Sequence, residues 1–541
     1  MQKVARRTHE APWGVLFVAV FGSVLVPAVA LLPLELAALL VLGVLATALA
    51  LLSPAWALGL AVLSVPAQEL VQLPGGLSLT QAALLLALAS LALHTLAYPE
   101  RPLAFGRLFA PLMLFVWCLV LSAALTPFSR AEALRETARW LTVPLIYLLA
   151  LRAMEGTGHR AQGTGDAAAE GTGAAAAEGT RDKGQATGAA ALSGPVPCSP
   201  YPVPWFLVAC LLLAPTANAV VGLVQWRFGF GPESFGIGGG RVRAYGTIGQ
   251  PNSFAGYMNQ GWPLAAGVAL FAILGLVTGA PPRPARRALL AAGAAAALML
   301  AALLASFSRG GWVGALAGAL ALAVSLAVSL PPALRPLGRR LVLAGAAGAL
   351  ALALLGGGGL LPAAVSGRLA SLTGNLRLFD ARGADINAAN FAVVERMAHL
   401  QAGWNMLRSR PIVGVGPGNY SVVYEAPPAA GAPTISVRPW YESRGHAHNY
   451  YLHIAAEAGL FGLAAYLLLI GATALQAVRA LRAARGWAWR GIAAGGGGVV
   501  AAVAAHNLFE NLHVLNMGLQ LGAVWALLVV AERAQGEHQQ R

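Results

Sequence analysis

Widely separated segments of the chain carry side chains able to bind an anion or move a proton. They are Arg241 and Arg243, Arg309 in the turn Ser308-Arg-Gly-Gly311, and His446, His448 and Asn449. Arginine presents a planar fork of donors that suits phosphate or carboxylate oxygens, and histidine is the side chain whose ordinary pKa lies near neutrality. Such a set can bind an anionic substrate and take a proton, or bind an anion for transport without reaction. Each member also has a plainer reading. Arg309 can snorkel to lipid headgroups, His448 can be an interfacial residue or a helix cap, and Arg241 and Arg243 can be surface charges of an exposed loop.

The elements that must position these residues are set by composition. Of 541 residues, 57% are hydrophobic and only 11% charged, against about 25% charged in a soluble domain, so a water-soluble enzyme is nearly ruled out. Apolar stretches of about 20 residues, each long enough to cross a ~30 Å hydrocarbon layer as a helix, recur from Ala11 to Ala531. The expected fold class is an all-α polytopic integral membrane protein with about 12–14 transmembrane helices. Candidate spans are 12–33, 36–52, 55–73, 78–97, 106–124, 139–154, 203–226, 253–278, 288–306, 311–330, 341–361, 448–475, 490–509 and 514–531. The third is the weakest, interrupted by Pro66, Gln68, Glu69 and Gln72.

The formal charge of +15 comes from 34 Arg and two Lys, Lys3 and Lys183, spread through short loops. No basic stripe forms, and nucleic-acid binding is a poor reading. The three cysteines, Cys118, Cys198 and Cys210, give no disulfide framework. Lys and Arg concentrate in short cytoplasmic loops. With the N-terminus inside, every strongly basic short loop falls on that side: Arg101 and Arg107; Arg283, Arg286 and Arg287; Arg335, Arg339 and Arg340; Arg479, Arg482, Arg485 and Arg490. Both termini are then cytoplasmic, and Arg241, Arg243, Arg309, His446, His448 and Asn449 share the outer face. Charged groups at a membrane edge are costly unless hydrated or paired, which favours a functional reading of the set.

The expected domains are N-terminal transmembrane helices over 1–154, a disordered cytoplasmic linker over 155–202, central transmembrane helices with the arginines over 203–361, an outer (periplasmic) cap over 362–447 and C-terminal transmembrane helices over 448–541. The linker consists of Ala, Gly, Thr and Glu without the aliphatic side chains of a core. The outer segment carries eight Arg, yet Val393–Arg408 places Val394, Met397, Leu400, Trp404 and Leu407 at helical spacing ahead of the glycine-rich turn Gly414-Val-Gly-Pro-Gly-Asn419. It is expected to fold as a small helical cap. His506, Glu510 and His513, at i, i+4 and i+7, would share one helix face, either as a metal site or, the favoured option, as a polar lining. Gln68 and Glu69 are candidates to line a groove, and Tyr420, Trp440 and Tyr441 to stack on sugars or anchor at the interface.

Taken together, Arg243-Ala-Tyr-Gly-Thr-Ile-Gly-Gln-Pro-Asn252, Ser308-Arg-Gly-Gly-Trp312, Arg410-Pro-Ile-Val-Gly-Val-Gly-Pro-Gly-Asn-Tyr420 and His446-Ala-His-Asn-Tyr450 resemble the O-antigen ligase and polymerase superfamily. The ligase pattern is His, then Asn, Ser or Gln, nine residues, Gly, two residues, and Gly, Thr or Tyr; His448-Asn449, Gly459 and Gly462 satisfy it. The resemblance covers roughly residues 205–480. Gln250 stands where the family often has Asn, and the segment 155–200 is an insertion outside the shared core.

The resemblance implies a metal-independent, inverting glycosyltransferase of the cytoplasmic (inner) membrane, with no cofactor and its site at the outer face. Its donor would be a polyprenyl (undecaprenyl) diphosphate-linked glycan, and its acceptor a hydroxyl of a lipid-anchored or cell-surface molecule such as a lipid A core sugar. His448 would be the base, and Arg309 with Arg243 would bind the diphosphate, with Arg241 the alternative for the latter. His446, Asn449, Asn252 and Arg241 would contact substrate. Three rivals remain at this point: a polysaccharide polymerase, a protein O-oligosaccharyltransferase and, from a different class, a transporter using the same arginines to bind.

Overall fold

A computed structural model describes residues 33–73, 76–155, 203–336, 380–387, 390–426 and 445–534, with a few positions between. The proposed spans 12–33 and 341–361, the linker, and Trp440 and Tyr441 lie outside these residues. The helices are α1 Leu34–Leu52, α2 Pro54–Ser64, α3 Leu79–Ala97, α4 Phe109–Leu125, α5 Arg130–Glu155, α6 Val203–Phe228, α7 Pro251–Val277, α8 Pro282–Ala305, α9 Arg309–Ser329, α10 Phe391–Ser409, α11 Tyr420–Glu425, α12 Tyr450–Ala483, α13 Gly486–His506 and α14 Gly518–Arg533. Among the described residues the only strands are a short antiparallel hairpin, β1 Gly236–Gly238 and β2 Arg241–Val242.

Seven of these helices, α3, α6, α7, α8, α9, α12 and α13, are long and apolar enough to cross a membrane. Their outward faces carry large apolar side chains in the open, among them Leu213, Val277 and Leu290, each more than half exposed, as a lipid-facing belt requires. The chain is an all-α polytopic membrane protein. Two expected spans need correction. The third is broken: α2 stops at Ser64 and continues only as a single 3₁₀ turn over Val65–Ala67, because Pro66 cannot donate to the helical ladder. The sixth begins earlier, at Arg130, where Glu132–Arg135 and Glu136–Arg139 form ion pairs at i, i+3 and support a charged first stretch of helix.

The centre of the bundle is α7, packed most extensively on α13 and α8 and also on α9. Helices approach closely only where side chains are small. Gly267 of α7 lies against Gly491 and Gly495 of α13, and Gly314 and Gly318 of α9 lie against Ala502 of α13. These contacts fix three helix ends, Pro251, Arg309 and His506, at one face of the bundle.

The segment expected to be the cap forms its own core, in which Val394, Met397, Ala398, Ala402 and Met406 of α10 pack on Tyr420, Val423 and Tyr424 of α11. The expected apolar stripe is rotated: small Ala398 and Ala402 face inward, and Trp404 is 53% exposed.

Candidate active site

The site begins at a break in α12. Gly459 sits inside the helix at φ 68°, ψ −169°, a conformation open to glycine at little cost, and a Cβ there would overlap the Ile412 carbonyl. The glycine-rich loop after α10 inserts at the break. Backbone N–H groups of Leu460 and Phe461 donate to the carbonyls of Pro411 and Ile412, and those of Val415 and Gly416 donate to Ala456 and Glu457. The loop therefore satisfies the backbone groups that the break would strand. Glu457, buried, accepts from the N–H groups of Gly418 and Tyr420 at 2.9 and 3.0 Å. The unit of α10 and α11 is thus fastened to α12 about two turns along the helix from His448.

Asn449 caps α12, its side-chain oxygen accepting from Leu452 N–H at 2.9 Å. His448, just before it, is held at φ 53°. A non-glycine residue in this region costs on the order of 1–3 kcal/mol and persists where its surroundings over-determine it. Phe307, two residues before Arg309, has φ 52°. Backbone strain is therefore stored beside both singled-out motifs.

The side chains then connect in a line. Arg243 donates through Nε to the Ser306 carbonyl at 2.8 Å and through Nη2 to Asn252 Oδ1 at 3.0 Å. Asn252 Nδ2 donates to Glu510 Oε2 at 2.8 Å. Glu510 Oε1 lies 3.1 Å from His446 Nε2 and 3.6 Å from His448 Nδ1. The His448 backbone N–H donates to His446 Nδ1 at 3.2 Å, so that nitrogen carries a lone pair and the proton sits on Nε2, facing Glu510. His446 is a neutral donor in this arrangement. Burial pushes its imidazole down to about 3, against the pull of the Glu510 carboxylate. Burial would raise the Glu510 carboxyl, but His446, His448 and Arg396 around it outweigh that and hold it below the usual carboxylate range.

His448 is enclosed by His446, at 4.4 Å between ring centroids, and by His399 of α10, edge-on at 5.7 Å. Both its ring nitrogens are buried without a hydrogen-bond partner among the described residues. Nδ1 faces the Glu510 carboxylate, a little beyond hydrogen-bonding reach, and Nε2 is left for another group. Arg309 opens α9, whose N-cap Ser308 accepts from Gly311 N–H. Gly310, the next residue, packs on His506 and Phe509, the latter adjacent to Glu510. His446, His448 and Glu510 could also hold a metal ion, since one ligand atom of each lies within 4.8 Å of the others.

Residues 294–467 match the family model described as O-antigen ligase. Over those residues the chain is O-antigen ligase-like. The match covers about a third of the chain and takes in Arg309, His446, His448, Asn449, Gly459 and Gly462. Arg241, Arg243 and Asn252 precede it and Glu510 follows it. No curated protein matches the chain.

Against this ligase-like frame the two neighbouring arginines separate. Arg241 is exposed and stacks over the Trp226 ring at 4.8 Å, whereas Arg243 enters the line of hydrogen bonds. The residue that sequence reasoning set aside is Glu510. His506, Glu510 and His513 do not share a helix face, because α13 ends at His506 and the chain turns. His506 goes to Asn259 at 3.3 Å, Glu510 to the site, and His513 to Tyr466 at 3.2 Å while stacking on Trp140 and Tyr450. Tyr420 is core, its hydroxyl donating to the His399 carbonyl at 2.7 Å, and cannot stack on a sugar. Gln68 is buried and pairs with Asn516 at 3.0 Å and with the Leu515 carbonyl, while Glu69 is exposed.

Proposed function

We propose that the protein transfers a glycan from a polyprenyl diphosphate to an acceptor hydroxyl, as an inverting, metal-independent glycosyltransferase of the cytoplasmic membrane. The observation that carries this reading is the line Arg243–Asn252–Glu510–His446/His448, which joins an arginine suited to an anion to a histidine whose Nε2 has no partner among the described residues. In the reaction, the acceptor oxygen attacks the anomeric carbon, its proton passes to His448 Nε2, and the bond from that carbon to the diphosphate breaks. Attack opposite the leaving group inverts the anomeric centre. Negative charge develops on the diphosphate, where Arg243 and Arg309 can stabilise it with preorganised N–H donors. General-base catalysis of this kind contributes roughly 10²–10⁴-fold. Glu510 orients the His448 ring and stabilises the imidazolium that forms, so it is a positioning residue. His446, Asn449 and Asn252 shape the substrate pocket, with Asn449 acting also through its helix cap, while Arg241, stacked on Trp226, faces away from it.

In this reading both termini are cytoplasmic, the site opens outward, and the unit built on α10 and α11 covers it. The test is release of polyprenyl diphosphate from a polyprenyl diphosphate-linked glycan by purified protein with a chelator present. Transfer in chelator that is lost in folded His448→Ala and Arg309→Ala supports the reading. Activity that needs an added divalent ion would instead make His446, His448 and Glu510 metal ligands. An intact donor under every condition would leave the transporter reading. Separate lipid A core, repeat-unit and Ser/Thr peptide acceptors distinguish ligase, polymerase and protein glycosyltransferase.

A further inference from the structure

The helices whose outer ends build the site leave a second cavity at their other ends. It encloses about 1020 Å³ between the last turns of α7, α9 and α12, the loops that follow them and the first turn of α13, at the top of the ~300–1,000 Å³ range of ligand pockets. The 21 residues of α9 span about 31 Å at ~1.5 Å per residue. The cavity is therefore a membrane thickness away from His448.

Its wall has two parts. Val324 and Val328 of α9, Leu274 of α7 and Leu481 of α12 give an apolar surface, while Arg335, Arg482 and Arg490 bring three cations and, among the described residues, no Asp or Glu lines it. Arg335 and Arg490 are each held by one bond, Nε donating to the carbonyls of Leu330 and Ala484 at 3.1 Å. Among the described residues none of the three arginines forms an ion pair. The first turn of α13 adds uncapped backbone N–H groups, since Arg485 makes no side-chain cap, and Gly486 and Trp487 of that turn line the cavity. Helix N-termini favour anions.

We propose that this cavity binds an anionic glycerophospholipid, its headgroup phosphate on Arg335, Arg482 and Arg490 and its acyl chains along Val324, Val328 and Leu481. Three cations without carboxylate partners repel one another, and a phosphate relieves that repulsion with charge-assisted hydrogen bonds. A free phosphate would satisfy the cations but leave the apolar wall wet, whereas a lipid covers both. Basic pockets between transmembrane helices on the cytoplasmic side suit anionic headgroups for these reasons. The inference does not rest on the glycosyl-transfer reading.

The test is native mass spectrometry of the full-length, detergent-purified protein offered equal amounts of phosphatidylglycerol and phosphatidylcholine, with millimolar inorganic phosphate as a separate arm. The expected result is about tenfold preferential retention of phosphatidylglycerol, unaffected by inorganic phosphate. The Arg335→Gln/Arg482→Gln/Arg490→Gln variant is expected to lose the preference. Val328→Trp, which fills the apolar part and leaves the cations in place, is expected to lose retention of either lipid. Equal retention of the two lipids by the wild type, an unchanged preference in the triple variant, or unchanged retention in Val328→Trp would each overturn the proposal. Displacement of phosphatidylglycerol by inorganic phosphate would also overturn it and assign a free-anion site instead.

Discussion

The two ends of α7, α9, α12 and α13 place cations in opposite company. At the end that carries the candidate site Arg243 is held by a carbonyl and Asn252, and the line continues to a buried carboxylate, Glu510, flanked by two histidines. At the opposite end Arg335, Arg482 and Arg490 surround an apolar cavity with no carboxylate in its wall among the described residues. The contrast separates two uses of arginine. A guanidinium fixed in a network is preorganised, so charge that develops in a transition state meets donors already in place. A group of cations without counter-charge stores repulsion that a bound anion removes, which suits steady binding.

The comparison breaks if substitutions at the candidate site are tolerated. His448→Gln should lower donor cleavage by roughly 10²–10⁴-fold while the protein stays folded, as read by diphosphate release. Asn252→Ala cuts the line in its middle. Its kcat is expected to fall about tenfold or more, because a buried carboxylate loses a donor and the guanidinium its anchor. Gly459→Ala probes the break that docks the unit of α10 and α11. Placing a Cβ at φ 68° against the Ile412 carbonyl should cost about 2–4 kcal/mol, seen as a lower thermal midpoint in detergent.

A subtler sharpening uses pH. The folded state holds His446 well below its unfolded value of about 6.5. Above that value both states are neutral and His446 contributes no pH dependence; as pH falls below it, only the unfolded chain takes the proton, so stability is lost. The groups facing His446 are Glu510, His448, His453 and His399. His446→Gln should flatten the fall in thermal midpoint between about pH 6.5 and pH 5, although the other buried histidines keep part of it. The smallest effect is expected at the far end: Arg482→Gln in detergent should leave donor cleavage within about twofold of wild type, since Arg482 lies across the bundle from the chemistry.

Much of the bundle is legible in the sequence, because hydropathy over about 20 residues is a strong signal. α3, α6, α7, α8, α9, α12 and α13 fall within a few residues to about eight of their expected limits, whereas α2 and α5 do not. Pro66 ends one, and the other draws a charged turn into a helix through ion pairs that a hydropathy reading treats as loop. The motif histidines and Arg309 are equally legible as residues. Their connection is not. Glu510 lies 62 residues after His448, and its apparent i, i+4 relation to His506 belongs to a helix that stops at His506. The Asn-rich run from Asn507 to Asn516 was the available turn signal. Nothing in the spacing separates Arg243 from Arg241, since only the packing of Trp226 shows which one faces away. Trp404 lies outside the core because two alanines on the neighbouring face let α10 approach more closely.

The most direct test of the central claim, that Glu510 and His448 act as one unit, is a double-mutant cycle on donor cleavage with Glu510→Gln, His448→Gln and both together. Residues acting as a unit are strongly non-additive. The account predicts that the double variant is no slower than His448→Gln alone and that Glu510→Gln by itself loses roughly 10-fold or more. Additive losses, or a Glu510→Gln protein as fast as wild type, would contradict it.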